Sequence, residues 1–210
     1  MNLFKCNAAV LRASSITALA LALLADSAVA QTADLPGVRV GDQWQFVIYY
    51  NVPSTKPNRA WVITSITPTG IEGTENGERL LLTPELNVLE SPRSKDSNPK
   101  ALSFPLEVGK RWRYGSDWVF KPKGSKGSSI VDVVVVGHEK VTVPAGEFES
   151  FKVVAKGSLH GMSPINSVYG GETTATYWYA PTVRAIVKSV THNPYLGVFT
   201  VELVEFQLRP

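Results

Sequence analysis

Gln43-Trp44-Gln45-Phe46-Val47-Ile48-Tyr49-Tyr50-Asn51 is the stretch whose pattern decides the fold class. Trp44, Phe46, Ile48 and Tyr50 fall on one face, with Gln43, Gln45 and Asn51 on the other. That is the period of two expected of a half-buried β-strand. The pattern returns at Arg111–Phe120, where Trp112, Tyr114, Trp118 and Phe120 oppose Arg111, Arg113 and Asp117. Outward from these two segments, short Val/Ile/Tyr/Phe/Trp/Thr runs predict strands at Trp61–Ile66, Arg79–Thr83, Ile130–Gly137, Lys140–Val143 and Phe148–Lys156. Others follow at Thr173–Tyr179, Arg184–Thr191 and Val198–Leu208. Gly, Pro, Asn and Ser clusters separate them, so about ten strands are expected. Helix-period stretches are almost absent. Short turns cannot carry parallel crossovers, so the predicted fold is all-β and mostly antiparallel, a strongly curved sheet or incomplete barrel.

The turns have their own chemistry. Val143-Pro144-Ala145-Gly146 places Pro where φ must be near −65° and Gly where a left-handed residue must follow. This predicts a hairpin with a three-residue loop and a bulge. Lys121–Ser129 (KPKGSKGSS) reads as a flexible hairpin loop, and Ser91–Lys100 (SPRSKDSNPK) as a longer polar linker. The linker is a natural boundary near 91–100 between two related halves. Val40-Gly41-Asp42-Gln43-Trp44-Gln45-Phe46 on one side matches Val108-Gly109-Lys110-Arg111-Trp112-Arg113-Tyr114 on the other as V-G-x-x-W-x-aromatic. In each copy, glycine allows a tight turn into a strand whose buried face begins with tryptophan.

The chain has 210 residues and a mass of 22.9 kDa, which suits one domain. Residues 1–30 read as a signal peptide. Lys5 and Arg12 form a positive start, Ile16–Leu24 is a short apolar run, and Ala28-Val29-Ala30 before Gln31 is a small-residue cleavage site. The run is shorter than the roughly 20 residues that span a bilayer as a helix. The domain is therefore expected over 31–210, in the periplasm or outside a bacterial cell, with no transmembrane segment. The single cysteine, Cys6, leaves with the signal segment. No disulfide, thiolate metal site, iron–sulfur cluster or haem attachment is then available, and no cofactor is expected. The net charge of +3 falls by one when Lys5, Arg12 and Asp26 are removed. So small an excess does not suggest a nucleic-acid partner.

No catalytic constellation stands out. His138, His160 and His192 are isolated, without metal-ligand spacing. There is no G-x-S-x-G elbow, and Ser158-Leu159-His160-Gly161-Met162-Ser163 lacks an orienting acid. Glu147 and Glu149 share a strand face next to a turn, where solvated charge is the ordinary outcome. Lys121, Lys123 and Lys126, with Lys110, Arg111 and Arg113, make a basic stretch that suits a solvated hairpin tip or an anionic envelope surface. The expectation is a protein that is not an enzyme and holds no metal.

The aromatic residues are the strongest signal. Five tryptophans stand in the chain, and Trp44, Trp112, Trp118 and Trp178 lie in predicted strands. Tyr177-Trp178-Tyr179 sends rings to both faces. Core packing is one reading, since such rings bury on the order of 150–250 Å² each. The other is a concave sheet face that binds an apolar small molecule through Trp44, Trp112, Trp118, Tyr177, Trp178 and Tyr179. A structural protein that pairs through a sheet edge with another envelope protein is the alternative.

Three segments carry a resemblance. They are Phe104-Pro105-Leu106-Glu107-Val108-Gly109-Lys110-Arg111-Trp112, then Val141-Thr142-Val143-Pro144-Ala145-Gly146-Glu147-Phe148-Glu149-Ser150-Phe151-Lys152-Val153, then Tyr177-Trp178-Tyr179-Ala180-Pro181 leading to Val187-Lys188. In this order they resemble a family of bacterial exported proteins of unknown function. The resemblance implies an all-β envelope protein and brings no catalytic residues. Thr182-Val183-Arg184 departs from it, because such proteins often carry a glycine-bearing turn there.

Overall fold

The computed structural model describes residues 32–50, 53–54 and 56–210. The signal segment and its cleavage residues Ala28, Ala30 and Gln31 lie outside that range. Fourteen strands are present among the described residues: β1 Thr32–Ala33, β2 Gln43–Tyr49, β3 Arg59–Thr67, β4 Gly70–Glu75, β5 Glu78–Leu82, β6 Val88–Glu90, β7 Ser94–Asp96, β8 Leu106–Glu107, β9 Arg111–Phe120, β10 Ser125–Val143, β11 Gly146–Met162, β12 Val168–Ala180, β13 Ala185–Asn193 and β14 Gly197–Gln207. Twelve of them close into a barrel in the order β10-β11-β12-β13-β14-β2-β3-β4-β5-β6-β7-β9, and β1 pairs with β8 in a small separate sheet. Every pairing is antiparallel. The all-β antiparallel sheet, expected to be strongly curved or an incomplete barrel, is curved to full closure. The three-residue strands β6 and β7, the second of them inside the polar stretch expected to be a linker, supply the closure.

Alternation sets the inner wall. Trp44 and Phe46 in β2, Ile63 in β3, Ile71 in β4, and Leu80 and Leu82 in β5 are all buried in one cluster with Leu203 of β14. Val131, Val133 and Val135 of β10 join Phe151, Val153 and Ala155 of β11 in a second cluster. The segments Ile130–Gly137 and Lys140–Val143 are one continuous strand, bent by a bulge between Val135 and Gly137. A bulge keeps both segments in one ladder while turning its direction. The bent end of the β10–β11 hairpin reaches back to β14, where the Ala145 N–H donates to the Leu203 carbonyl at 3.1 Å. Phe148 meets Phe206 edge-on at 6.0 Å. Only Pro144 and Ala145 lie between the paired ends Val143 and Gly146, one residue fewer than the expected loop, and Gly146 has φ +129°.

The V-G-x-x-W repeat is also a repeat of backbone geometry. Gly41 and Gly109 have φ +90° and +94°. Gly41 N–H donates to Ile63 O at 2.8 Å while Ile63 N–H donates to Asp42 O at 3.0 Å; Gly109 and Val135 do the same around Lys110, at 2.8 and 3.0 Å. Each tryptophan Nε1 then donates to a backbone carbonyl, Trp44 to Val183 at 2.8 Å and Trp112 to Lys100 at 2.7 Å. A second pair of equivalent turns follows β9 and β12. The 3₁₀ turns Lys121–Lys123 and Pro181–Val183 both end on a left-handed residue, Gly124 at φ +60° and Arg184 at φ +54°. The basic stretch expected as a long flexible loop is thus a tight turn, with β10 starting at Ser125. Arg184 occupies the position where glycine was the expected residue. Its guanidinium donates to Asp42 at 2.9 Å, and the fully buried Asp42 also accepts the N–H groups of Arg39 and Arg209. That network ties the last turn to the start of β2 and to the C-terminal residues.

One end of the barrel is filled from within. Residues 97–110 cross it, and Leu102 and Leu106 are wholly buried against Val135, Phe151 and Tyr179, together with Ala33. Buried Asn87 clips this crossing by donating to Leu102 O at 2.9 Å and accepting from Leu102 N–H at 2.8 Å.

Candidate functional site

Beyond that filled end the interior stays open. A cavity of about 350 Å³ lies against Trp44, Phe46, Arg59, Trp61, Ala185 and Val201. A second, of about 260 Å³, lies against Val131, Leu159, Tyr169, Ala175, Tyr195 and Leu196. Ser94, Tyr114, Trp118 and Tyr177 line both. The two cavities therefore adjoin, with these four side chains in the wall of both. Together they reach the volume range of small-molecule sites, roughly 300–1,000 Å³.

The wall is built strand by strand. Tyr114 and Trp118 come from β9, and Tyr169, Ala175 and Tyr177 from β12, at the odd or even positions that alternation sends inward. Ala155 and Ala175 are directly paired across β11 and β12. Small side chains there leave the space that large ones would fill. At the mouth, Trp118, Gly127, Gly161 and Tyr169 stand side by side on β9, β10, β11 and β12. A Cβ on Gly127 would meet Trp118 Cζ2 at 2.6 Å, and one on Gly161 would meet Tyr169 Cζ at 2.5 Å. The two glycines thus make the bed on which the rings lie. Trp118 and Tyr169 are 6.3 Å apart, and Tyr169 stacks on Tyr195 at 4.1 Å with an interplanar angle of 11°. Lys123 Nζ caps the stack, 4.6 Å from the Tyr195 centroid.

Polar groups sit at a few places on this apolar wall. Burial pushes the Tyr177 phenol up to about 12, with Asp96 adding to the effect. Tyr114 is raised as well, by burial first and then by Tyr177 and Asp96. Asp96 is itself raised by burial, against the Ser116 hydroxyl and the Asn98 N–H that bond its carboxylate. Across the cavity, Glu75 is buried and accepts from Trp61 Nε1 at 2.9 Å. Arg59 Nε is 3.4 Å from Glu75, and burial lowers the guanidinium despite that carboxylate. Arg59 Nε and Tyr169 Oη are buried and have no hydrogen-bond partner among the described residues. A buried donor left unsatisfied costs about 1–3 kcal/mol, so each such group calls for a reason.

The six expected binding residues separate into three groups. Trp44, Trp118 and Tyr177 line the cavity. Trp112 and Tyr179 are packed in the cluster under the filled end, Tyr179 edge-on to Phe104 at 5.0 Å. Trp178 faces the other way, its indole N–H donating to Glu139 at 2.7 Å and Lys152 lying 5.4 Å from its ring. That donation, and then Lys152, holds the Glu139 carboxyl below its ordinary value. Arg59, Glu75, Asp96, Tyr169 and Tyr195 were not singled out from the sequence. β4 was not recognised as a strand, although Ile71, Gly73 and Glu75 alternate inward. Asp96 looked like linker. Tyr169 and Tyr195 become neighbours only when β12 and β13 pair.

The remaining candidates lie apart. His138 packs edge-on to Phe151 at 4.9 Å, with Nδ1 3.6 Å from Glu149, and Glu147 is 3.6 Å from Lys140. Glu147 and Glu149 thus each face a different basic side chain. Among the described residues no three His, Cys, Asp or Glu side chains gather in one place. No helix among them is long and apolar enough to cross a membrane.

No protein-family model and no curated protein matches the chain. Solved structures do. One, from Bacteroides fragilis, is described as an exported protein with a YmcC-like fold: 17% identity, TM-score 0.51, covering 83% of this chain and 99% of that one. Another, from Parabacteroides distasonis, is described as a lipoprotein: 16% identity, TM-score 0.50, with the same coverage. At these identities the likeness shows a shared fold.

Proposed function

We propose that the chain is an exported, non-catalytic binding protein of the bacterial cell envelope that carries an apolar small molecule inside its barrel. The observation that carries this reading is the pair of adjoining cavities that share Tyr114, Trp118 and Tyr177, one of them bordered by the small Ala155 and Ala175. Burial of apolar ligand surface against such a wall contributes about 25 cal/mol per Å². The signal-like residues 1–30 and the descriptions of the structural neighbours as exported or lipoproteins support the envelope location. The alternative, strand pairing with an envelope partner, is less favoured because barrel closure pairs both sides of most strands, leaving the β10–β11 hairpin beyond Val134 and Phe151 as a two-stranded projection.

Titration with N-phenylnaphthylamine, whose fluorescence rises in apolar surroundings, tests the proposal. The protein should enhance the dye saturably. Ala155→Phe, or Ser189→Leu on β13 beside Tyr177, should weaken binding at least about tenfold, equivalent to about 1.4 kcal/mol, while thermal stability is kept. Absence of saturable enhancement by the folded wild type overturns the reading.

A further inference from the structure

We propose that the barrel end carrying the cavity mouth docks on a bilayer surface rich in anionic lipid headgroups; this rests on the cavity reading above and names where the ligand is exchanged. Next to the aromatic stack, residues 163–167 form a turn held by its own hydrogen bonds. Asn166 N–H donates to Ser163 O at 2.9 Å, Ser163 N–H to Ser167 O at 3.0 Å, and Ser167 N–H to Ser163 Oγ at 3.1 Å. This well-bonded turn presents Ile165 at 86% exposure, followed by Val168 at 77%. An ordered turn that points two branched aliphatic side chains into water marks an interaction site rather than a core-facing loop.

The charge beside these residues decides the partner. The 3₁₀ turn bearing Lys121 and Lys123 abuts the apolar turn, since a Cβ on Gly124 would lie 3.0 Å from Pro164 Cγ. Lys126 stands opposite Met162 in the β10–β11 ladder. Lys121 is engaged by Glu90 at 3.0 Å, whereas Lys123 and Lys126 have no carboxylate partner among the described residues. On the flank, an outer groove of about 640 Å³ is lined by Val119, Met162 and Val168 together with Lys95 and Lys126, and Asp117 is its only carboxylate among the described lining residues. Apolar side chains that can enter the interface, ringed by cations, complement an anionic lipid surface, where each lysine is drawn to the headgroups. Tyr169 and Tyr195 of the cavity wall stand at this same end, with Lys123 over Tyr195.

Co-sedimentation of the protein with vesicles tests the inference, one set of phosphatidylcholine alone and one mixed with phosphatidylglycerol. Binding is expected to the mixed vesicles and to weaken as salt screens the lysines. The pair Ile165→Asp and Val168→Asp should lower the bound fraction about tenfold or more, and Lys123→Ser with Lys126→Ser should do so on the mixed vesicles. The variant carrying Ile165→Asp and Val168→Asp should still enhance N-phenylnaphthylamine, and Ala155→Phe should still sediment, so failure of docking and failure of the cavity reading are distinguishable. Equal binding to both vesicle types overturns the proposal, as does a tip variant that sediments like wild type. A self-associated form that Ile165→Asp dissociates overturns it too, because a second copy of the chain would then be the partner.

Discussion

At the scale of single residues, Tyr177 connects burial, charge and stability. Its phenol titrates at about 12 in the fold against an ordinary 10, because burial disfavours the phenolate and Asp96 repels it. Below pH 10 the group is neutral in both folded and unfolded chains and contributes no pH dependence. As pH rises from 10 towards 12, the unfolded chain loses its proton first and is favoured, so stability falls by up to about 1.4 kcal/mol per pH unit for this tyrosine. Tyr114 and Tyr179 are raised in the same direction, by burial first in each case. Urea midpoints measured across this alkaline range should fall steeply in wild type and less steeply in Tyr177→Phe. Equal slopes would show that the ring is solvated rather than interior. Arg184 shows a different residue-scale balance. A non-glycine residue accepts φ +54° where its side chain holds the buried Asp42, so lost conformational freedom is offset by a charge-assisted bond.

Elements are where the sequence was most legible. Alternation located β2 and β9 almost residue for residue; it holds along β9, whereas in β2 it breaks after Phe46, where Val47 of the other face is buried and the expected core residue Tyr50 lies exposed beyond the strand. Val143-Pro144-Ala145-Gly146 marked its turn because only glycine is comfortable at φ +129°. Gly146→Val should therefore cost about 1–2 kcal/mol and loosen the tip that Ala145 anchors to Leu203. Thermal denaturation checks this, and an unchanged midpoint would contradict the turn assignment. The short strands β6 and β7 were illegible for a physical reason. Three residues are too few to show a period, and pairing such as Glu90 with Lys95 is imposed by the neighbouring strands. The basic stretch was misread in length because Lys, Gly and Ser suggest a loop, while the ladder that extends β10 to Ser125 comes from pairing with β9 and β11.

The whole molecule is a closed barrel with one end filled by residues 97–110 and the rest of its interior lined by aromatic rings. The aromatic strand positions suited either core packing or a concave binding face. The sequence could not show which rings pack and which line a space, since that depends on the small partners opposite them. Ala155 and Ala175 leave room beside Tyr177, whereas Leu102 and Leu106 fill it beside Tyr179. The most direct test is quenching of tryptophan fluorescence by a dibrominated fatty acid, because bromine quenches only at close range and Trp44, Trp61 and Trp118 line the cavity. Saturable quenching by the brominated acid, none by its unbrominated counterpart, and loss of quenching in Ala155→Phe are the predicted results. A folded wild-type protein whose tryptophans stay unquenched at saturating acid would contradict the account.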